Sequence, residues 1–476
     1  MAKVSTRKLP RAVVGVDSST QAVKVEVRQV DDGELLWRGS APHPATTPPC
    51  SEQDPRSWWK GLEPLLEHAS IAADLVGISV AAQQHGMVVL DSSDDTIRPA
   101  KLWNDSESAP DAVDLVHALG GPAAWAAECG SVPTASFTAT KLAWLRRREP
   151  QNFSRVAKVL LPHDWLTWKL TGSMVTERGD ASGTGYFSAE RSAWLDDVLE
   201  VIGVHEEALP KILEPDEPAG VWKHATVGPG TGDNMAAALG IGLAAGDIAV
   251  SIGTSGTVFA VTDRATHDAT GAVAGFADAT GRFLPLVCTL NAAKVTDAVA
   301  RLLAVDAEEF AELAALAPPG SGGLVLVPYF DGERTPFRPD ATGLLRGIRS
   351  TISREQLARA AVEGVVCSLL DGIDAMQRAG VPVSDGTLFL VGGAARSPAY
   401  RQILADLAQR PVTVPEGAEF VARGACVQAA SVVRGVSAAD IIREWSPGTI
   451  SIVYPDAEAD ADTVRAAYCE SRDFVV

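Results

Sequence analysis

Two short segments of this chain follow one plan. Ala12-Val13-Val14-Gly15-Val16-Asp17 reads as a buried strand that ends in a carboxylate. Ser18-Ser19-Thr20-Gln21 is a polar turn, and Val23, Val25 and Val27 then alternate with Lys24, Glu26 and Arg28 as a half-buried strand. About 235 residues later, 248–252 is an apolar run, Gly253-Thr254-Ser255-Gly256-Thr257 a small-residue turn, and 258–261 a second apolar run. A strand–turn–strand unit used twice predicts a duplicated domain, divided near Ala245 into residues 1–245 and 246–476.

Between these units strands and helices alternate. A helix is expected over 56–73, entered through Ser51-Glu52-Gln53-Asp54-Pro55 with proline at an early position. A strand follows over 76–80, extended chain over 87–90, and helices over 109–126 and 139–148. The second half adds strands over 323–327 and 388–391, and Ala-rich helices over 356–376, 400–409 and 423–433. The acidic tail from Asp456 reads as a surface helix. This alternation predicts an α/β layered fold.

Composition narrows the function. The 476 residues include 41 basic and 60 acidic side chains, a net charge of −19, which opposes nonspecific binding to nucleic acid or an anionic membrane. Neither is an expected partner. The six cysteines form no C-x-x-C motif, and scattered thiols suit a reducing cytoplasm. The basic start, 1–11, is followed by an apolar run, 12–16, too short for a signal-peptide core. The apolar stretch 236–246 is too short to span a bilayer.

Several polar clusters are candidates for chemistry. Asp17 alone reads as a turn carboxylate capping backbone N–H groups, or as a Mg²⁺ ligand beside phosphates. Asp233 closes Gly228-Pro229-Gly230-Thr231-Gly232 and opens an apolar helix. It reads equally as a helix N-cap and as a base that accepts a hydroxyl proton. The turns Gly253-Thr254-Ser255-Gly256-Thr257 and Gly392-Gly393-Ala394-Ala395-Arg396-Ser397 offer N–H groups to phosphate oxygens. Neither the P-loop nor the G-x-G-x-x-G fingerprint is present. Gln83-Gln84-His85-Gly86 and Trp103-Asn104-Asp105 combine directed hydrogen-bonding groups with an aromatic face, the composition of a sugar site.

In their order along the chain, from about Val13 to about Val433, these segments resemble the FGGY carbohydrate kinases, most closely those acting on D-xylulose. The likeness includes Gly15-Val16-Asp17, Trp58-Trp59 after the Ser-Glu-Gln-Asp-Pro stretch, Gln84-His85-Gly86 and Leu102-Trp103-Asn104-Asp105. It continues through Phe137-Thr138-Ala139-Thr140-Lys141, Tyr329 with its following residues to Pro336, 343–363, and Gly392-Gly393. Departures are Ser18-Ser19 where many members have glycine second, Gln84 where methionine is frequent, and Ala394 in place of a third glycine.

The resemblance implies two actin-like, ribonuclease-H-like domains, mixed sheets flanked by helices, around a central cleft. It implies ATP-dependent phosphorylation of D-xylulose to D-xylulose 5-phosphate. Another ketopentose or polyol, such as D-ribulose or an alditol, is the alternative, and a noncatalytic sugar or nucleotide sensor is a third reading. By the same resemblance Asp233 is the general base and, with Asp17, a Mg²⁺ ligand. Gln84, His85, Trp103, Asn104 and Asp105, together with Asp233, would contact the sugar. Ser18, Ser19, Thr20, Gly253, Thr254, Gly392, Gly393 and Ala394 would line ATP. The expected ligands are a small sugar and MgATP, and a homodimer is compatible with them.

Overall fold

The computed structural model describes residues 9–475, so residues 1–8 of the basic start lie outside the described residues. Strand β1 (Arg11–Ser18) is buried along seven of its eight residues, which places it in the middle of a sheet. It pairs antiparallel with β2 (Ala22–Gln29), which pairs antiparallel with β3 (Leu35–Pro42). Helix α1 (Pro55–Ala72) starts where the Asp54 side chain accepts from the Arg56 N–H, with Pro55 next in line. It buries Trp58, Leu62 and Leu66 against the valines of β1 and β2. The chain returns as β4 (Asp74–Ala82), parallel to β1. Beyond β4 lie β5 (Gly220–Trp222) at the edge and β6 (Ala225–Val227), and Thr231–Gly232 pairs with the end of β4 before helix α2 (Asp233–Ile241) begins.

The second sheet repeats this plan, as the duplicated unit predicts. Strands β7 (Ile248–Ile252), β8 (Gly256–Ala260), β9 (Ala274–Ala277) and β10 (Phe283–Thr289) are joined by antiparallel pairings. Helix α3 (Arg354–Arg378) leads towards β11 (Leu388–Val391), parallel to β7, and β12 (Val412–Pro415) is parallel to β11. With β13 (Thr449–Val453) as its antiparallel edge, the second sheet runs β9-β10-β8-β7-β11-β12-β13, and apart from the extra edge strand β9 this corresponds to β3-β2-β1-β4-β6-β5 in the first. These are the two mixed sheets flanked by helices that the sequence implies.

One helix crosses between the halves. Helix α4 (Phe420–Arg434) follows β12 of the second sheet in sequence, yet it packs on β1, β4 and α2. At its contact with α2, a Cβ on Gly240 would fall on the carbonyl oxygen of Phe420, and one on Gly424 on that of Ala236. Only glycine lets the two backbones approach so closely.

Local expectations were corrected in three places. The helix expected over 109–126 breaks at Gly120-Gly121, both at positive φ, into Ala109–Ala118 and Pro122–Cys129. The strand expected from residue 323 begins at Val325, because Gly322 and Gly323 lie at positive φ. The acidic tail from Asp456 holds helix α5 (Ala461–Arg472), which turns Tyr468 into the second core rather than lying wholly on the surface.

Candidate active site

Asp17 and Asp233 occupy corresponding ends of the first sheet. Asp17 is the last residue but one of β1, and Asp233 is the first residue of α2, directly beyond the Thr231–Gly232 pairing with β4. Gly232 takes the N-cap position, so Asp233 is not the cap that its sequence context equally allowed. Its Oδ1 accepts from the Asn234 N–H at 2.8 Å and the Asn234 amide at 2.9 Å. Burial, then the charge of Asp17, then that of Asp180, pushes the Asp233 carboxyl up to about 7. Asp17 is pushed up to about 6 by burial, against a hydrogen bond from Ser19 and the charge of Lys24. Asp17 and Asp233 lie in each other's field, and carboxylate oxygens are hard donors of the kind Mg²⁺ takes.

Asn234 joins one predicted sugar residue, Gln84, to the predicted base. Its amide donates to Gln84 Oε1 at 2.9 Å and so ties Gln84 to Asp233. Gln84 Nε2 and Asn104 Oδ1 are buried without a protein partner, which leaves a donor and an acceptor for a ligand. His85 sits at φ +65 with Nδ1 2.6 Å from the Gly183 carbonyl oxygen. A carbonyl only accepts, so Nδ1 carries the proton and Nε2 is left as an acceptor. Burial drives this histidine down to about 3, so it stays neutral. Its ring stacks on Phe137 at 4.9 Å and meets Phe276, from the second half, at 5.5 Å. Trp103 is half-buried and spends its indole N–H on Thr20 Oγ1 at 2.9 Å, so it offers a ligand only its ring.

Three predicted contacts face elsewhere. Asp105 is a sugar contact by expectation, but one oxygen accepts from the Ser51 N–H (2.8 Å) and Lys101 (2.9 Å) and the other from the Glu107 N–H (3.1 Å). Lys101 also meets Glu52 and Glu107, so Asp105 belongs to an ion cluster that supports the Trp103-Asn104 loop. Ser18 and Thr20 are ATP contacts by expectation. The Ser18 hydroxyl instead lies buried 3.1 Å from His43 Nε2. The Thr20 hydroxyl donates to Gln83 Oε1 at 3.2 Å while it accepts from Trp103. Gln53, from the Ser-Glu-Gln-Asp-Pro stretch, donates to the Thr20 carbonyl oxygen at 2.9 Å. Thr20 therefore joins the opening turn to the sugar side. Of the three hydroxyls, that of Ser19 bonds Asp17.

On the opposite side, β7 and β11 are adjacent parallel strands, so the turns after them are neighbours. Gly392 lies at φ +87, and a Cβ there would meet the Ile252 carbonyl oxygen at 2.6 Å. Gly393 has open space around it, and Thr254 is exposed. The carbonyls of Gly253 and Thr254 accept from the N–H groups of Ala293 (2.9 Å) and Ala292 (3.3 Å), which holds this turn against the helix Ala293–Leu303.

Sequence reasoning missed Lys24, Glu419 and Gln428. Lys24 lies 3.9 Å from Asp17 and 2.6 Å from Glu419, which sits at the N-terminal end of α4. Strand alternation had placed Lys24 on the solvent face. Gln428 was the one visible signal, an amide in a run of alanine and valine.

Comparison with known proteins agrees with this architecture. Residues 12–247 match the N-terminal domain, and residues 248–432 the C-terminal domain, of the FGGY family of carbohydrate kinases. The chain is 45% identical over 444 residues to the xylulose kinase of Streptomyces coelicolor, covering 91% of this chain and 90% of that protein. It is 44% identical to the xylulose kinase of Streptomyces rubiginosus, covering 95% and 94%. The crystal structure of xylulose kinase from Bifidobacterium adolescentis superimposes with a TM-score of 0.86 at 37% identity, covering 97% of this chain and 99% of that one. With both domains matched along the two duplicated sheets, the chain belongs to the FGGY family of carbohydrate kinases.

Proposed function

We propose that this kinase transfers the γ-phosphoryl group of MgATP to the terminal hydroxyl of D-xylulose, giving D-xylulose 5-phosphate and ADP. The observation that carries the reading is Asp233. It is a carboxylate at a helix N-terminus, poised near neutrality, and Asn234 joins it to Gln84. The relatives named xylulose kinase, 44–45% identical over most of the chain, support the choice of sugar. The sugar oxygen attacks the γ-phosphorus as the bond to the β-phosphate oxygen breaks, and the hydroxyl proton passes to Asp233. Gln84, His85, Trp103 and Asn104 orient the sugar. Gly253, Thr254, Gly392, Gly393 and Ala394 hold the nucleotide. Mg²⁺ at Asp17 and Asp233 would neutralise phosphate charge.

The division of labour runs along the chain, with 1–245 binding mainly sugar and 246–476 mainly nucleotide. The working compartment is the cytoplasm, where the six free cysteines stay reduced. Among the described residues, no single helix is long and apolar enough to cross a membrane. Gln84, whose Nε2 has no protein partner, favours a second reading in which another ketopentose or polyol is the better substrate.

ADP release with MgATP and D-xylulose, D-ribulose, L-ribulose, glycerol, xylitol or gluconate tests both readings. A dominant D-xylulose rate is expected, and a dominant rate on another compound replaces the first reading with the second. Asp233→Asn is expected to lower turnover by about 10²–10⁴-fold while sugar still binds.

A further inference from the structure

The loop that delivers Asp233 has little means of holding itself in place. Its residues are Gly228, Pro229, Gly230, Thr231 and Gly232, so Thr231 supplies its one hydrogen-bonding side chain. Three anchors come from the first half. The Gly228 N–H donates to the Ile78 carbonyl at 2.8 Å, the Thr231 hydroxyl to Glu177 at 2.8 Å, and Thr231–Gly232 pairs with Ala81 and Ala82. Gly230, at φ +81, has His163 and the Val80 carbonyl where a Cβ would lie (2.6 and 2.8 Å), so no side chain can be added there to steady it.

A fourth anchor comes from the far end of the sequence. Gln428, buried on α4, donates from Nε2 to the Gly230 carbonyl oxygen at 3.0 Å, and its Oε1 accepts from Ser79. Among the described residues, it is the one side chain from beyond residue 246 that bonds this loop. The same helix meets the other carboxylate. Glu419 at its start binds Lys24, which lies 3.9 Å from Asp17. Nine residues separate Glu419 from Gln428, a rise of roughly 13 Å along a helix. The glycine contact between α2 and α4 leaves that spacing no room to slip.

We propose that Gln428 is a positioning residue for phosphoryl transfer, holding the Gly228–Gly232 loop so that the Asp233 carboxylate keeps its place relative to Asp17. This role rests on the reading of Asp233 as the base. A group that acts this way changes the transfer step more than the binding of either ligand.

The test compares Gln428→Met, Ser79→Ala and Asp233→Asn in the whole enzyme with MgATP and D-xylulose. Q428M keeps the side-chain length and removes the donor to Gly230. It is expected to lower kcat about tenfold, to leave both KM values within about threefold, and to speed amide exchange at Gly230–Gly232. S79A leaves the bond from Gln428 to Gly230 in place and is expected to keep kcat within about twofold. If Q428M melts below the assay temperature, Gln428→Leu carries the test, because its side chain has no proton for Gly230; a tenfold lower kcat is again expected. Wild-type kcat in Q428M (or in Q428L, should that variant carry the test), or equal losses in Q428M and S79A, would overturn the proposal. An active D233N would remove the base reading itself. An inactive D233N beside a fully active Q428M would remove the positioning role alone.

Discussion

The two sides of the site are made of different material. The proposed sugar side is a set of buried and half-buried side chains whose bonds interlock: Asn234 with Gln84, His85 with Gly183, Trp103 with Thr20, and Thr20 with Gln53 and Gln83. The proposed nucleotide side is mostly backbone, with glycine turns at the ends of two adjacent strands and the exposed Thr254 and Gly393. The difference matches two recognition problems. A sugar is told from its isomers by the direction of individual hydroxyls, so each contact must be held in place. Phosphate oxygens accept from any suitably turned N–H, so close approach of the main chain is enough.

Substitutions separate the two sides, and the largest effect should come from the backbone side. Gly392→Val places a side chain against Ile252 at a positive φ and is expected to cost about 3 kcal/mol of nucleotide binding, roughly a hundredfold in Kd. Calorimetry should show sugar affinity nearly unchanged. A parallel loss of sugar binding would mean that the two sides are not separate. His85→Ala removes the acceptor Nε2 and the ring between Phe137 and Phe276, and should lower kcat/KM for the sugar about thirtyfold with little change in KM for ATP.

Acidity sharpens the contrast between Asp233 and His85. A base held at about 7 is active when deprotonated, so kcat/KM should fall about tenfold per pH unit below that point. His85, held near 3, should add no second ionisation between pH 5 and 8. Stability runs the other way. The folded value for Asp233 lies above its unfolded 3.8, so the proton bound in the folded state favours folding at low pH, and this advantage is lost as pH rises towards 7. Asp233→Asn should therefore melt higher than the parent enzyme at pH 8 and no higher at pH 3, measured without Mg²⁺. The smallest effect is expected for Thr20→Val, about fivefold in KM for the sugar. A shift in KM for ATP instead would return Thr20 to the nucleotide.

Much of this was legible in the sequence where chemistry is local. The valine run into Asp17 and the glycine-dense approach to Asp233 announce strand ends that carry carboxylates. Asp54-Pro55 announces the start of α1. The direction of a hydroxyl was not legible. Ser18 and Thr20 sit in a turn beside Asp17, as a phosphate contact would, but His43 takes one and Gln83 with Trp103 the other. Asp105 follows Trp103-Asn104, yet Lys101, four residues earlier, claims it. Gln428 and Glu419 lie too far along the chain for any local pattern to join them to Gly230 and Lys24.

Helix α4 also imposes an order on synthesis. The first sheet and α2 are complete in the chain by Ile241, but the helix that covers β1 and β4 starts at Phe420, about 180 residues later. At typical translation rates that interval is on the order of ten to forty seconds. Through it, Val13 and Val30, which cluster with Cys426, Ala429 and Ala430 in the finished enzyme, and Ala81 and Ala236, which cluster with Ala425, lack their cover. The first half is therefore a unit that must wait, and a fragment ending near residue 245 should be claimed by chaperones or aggregate unless residues 420–434 are supplied in trans.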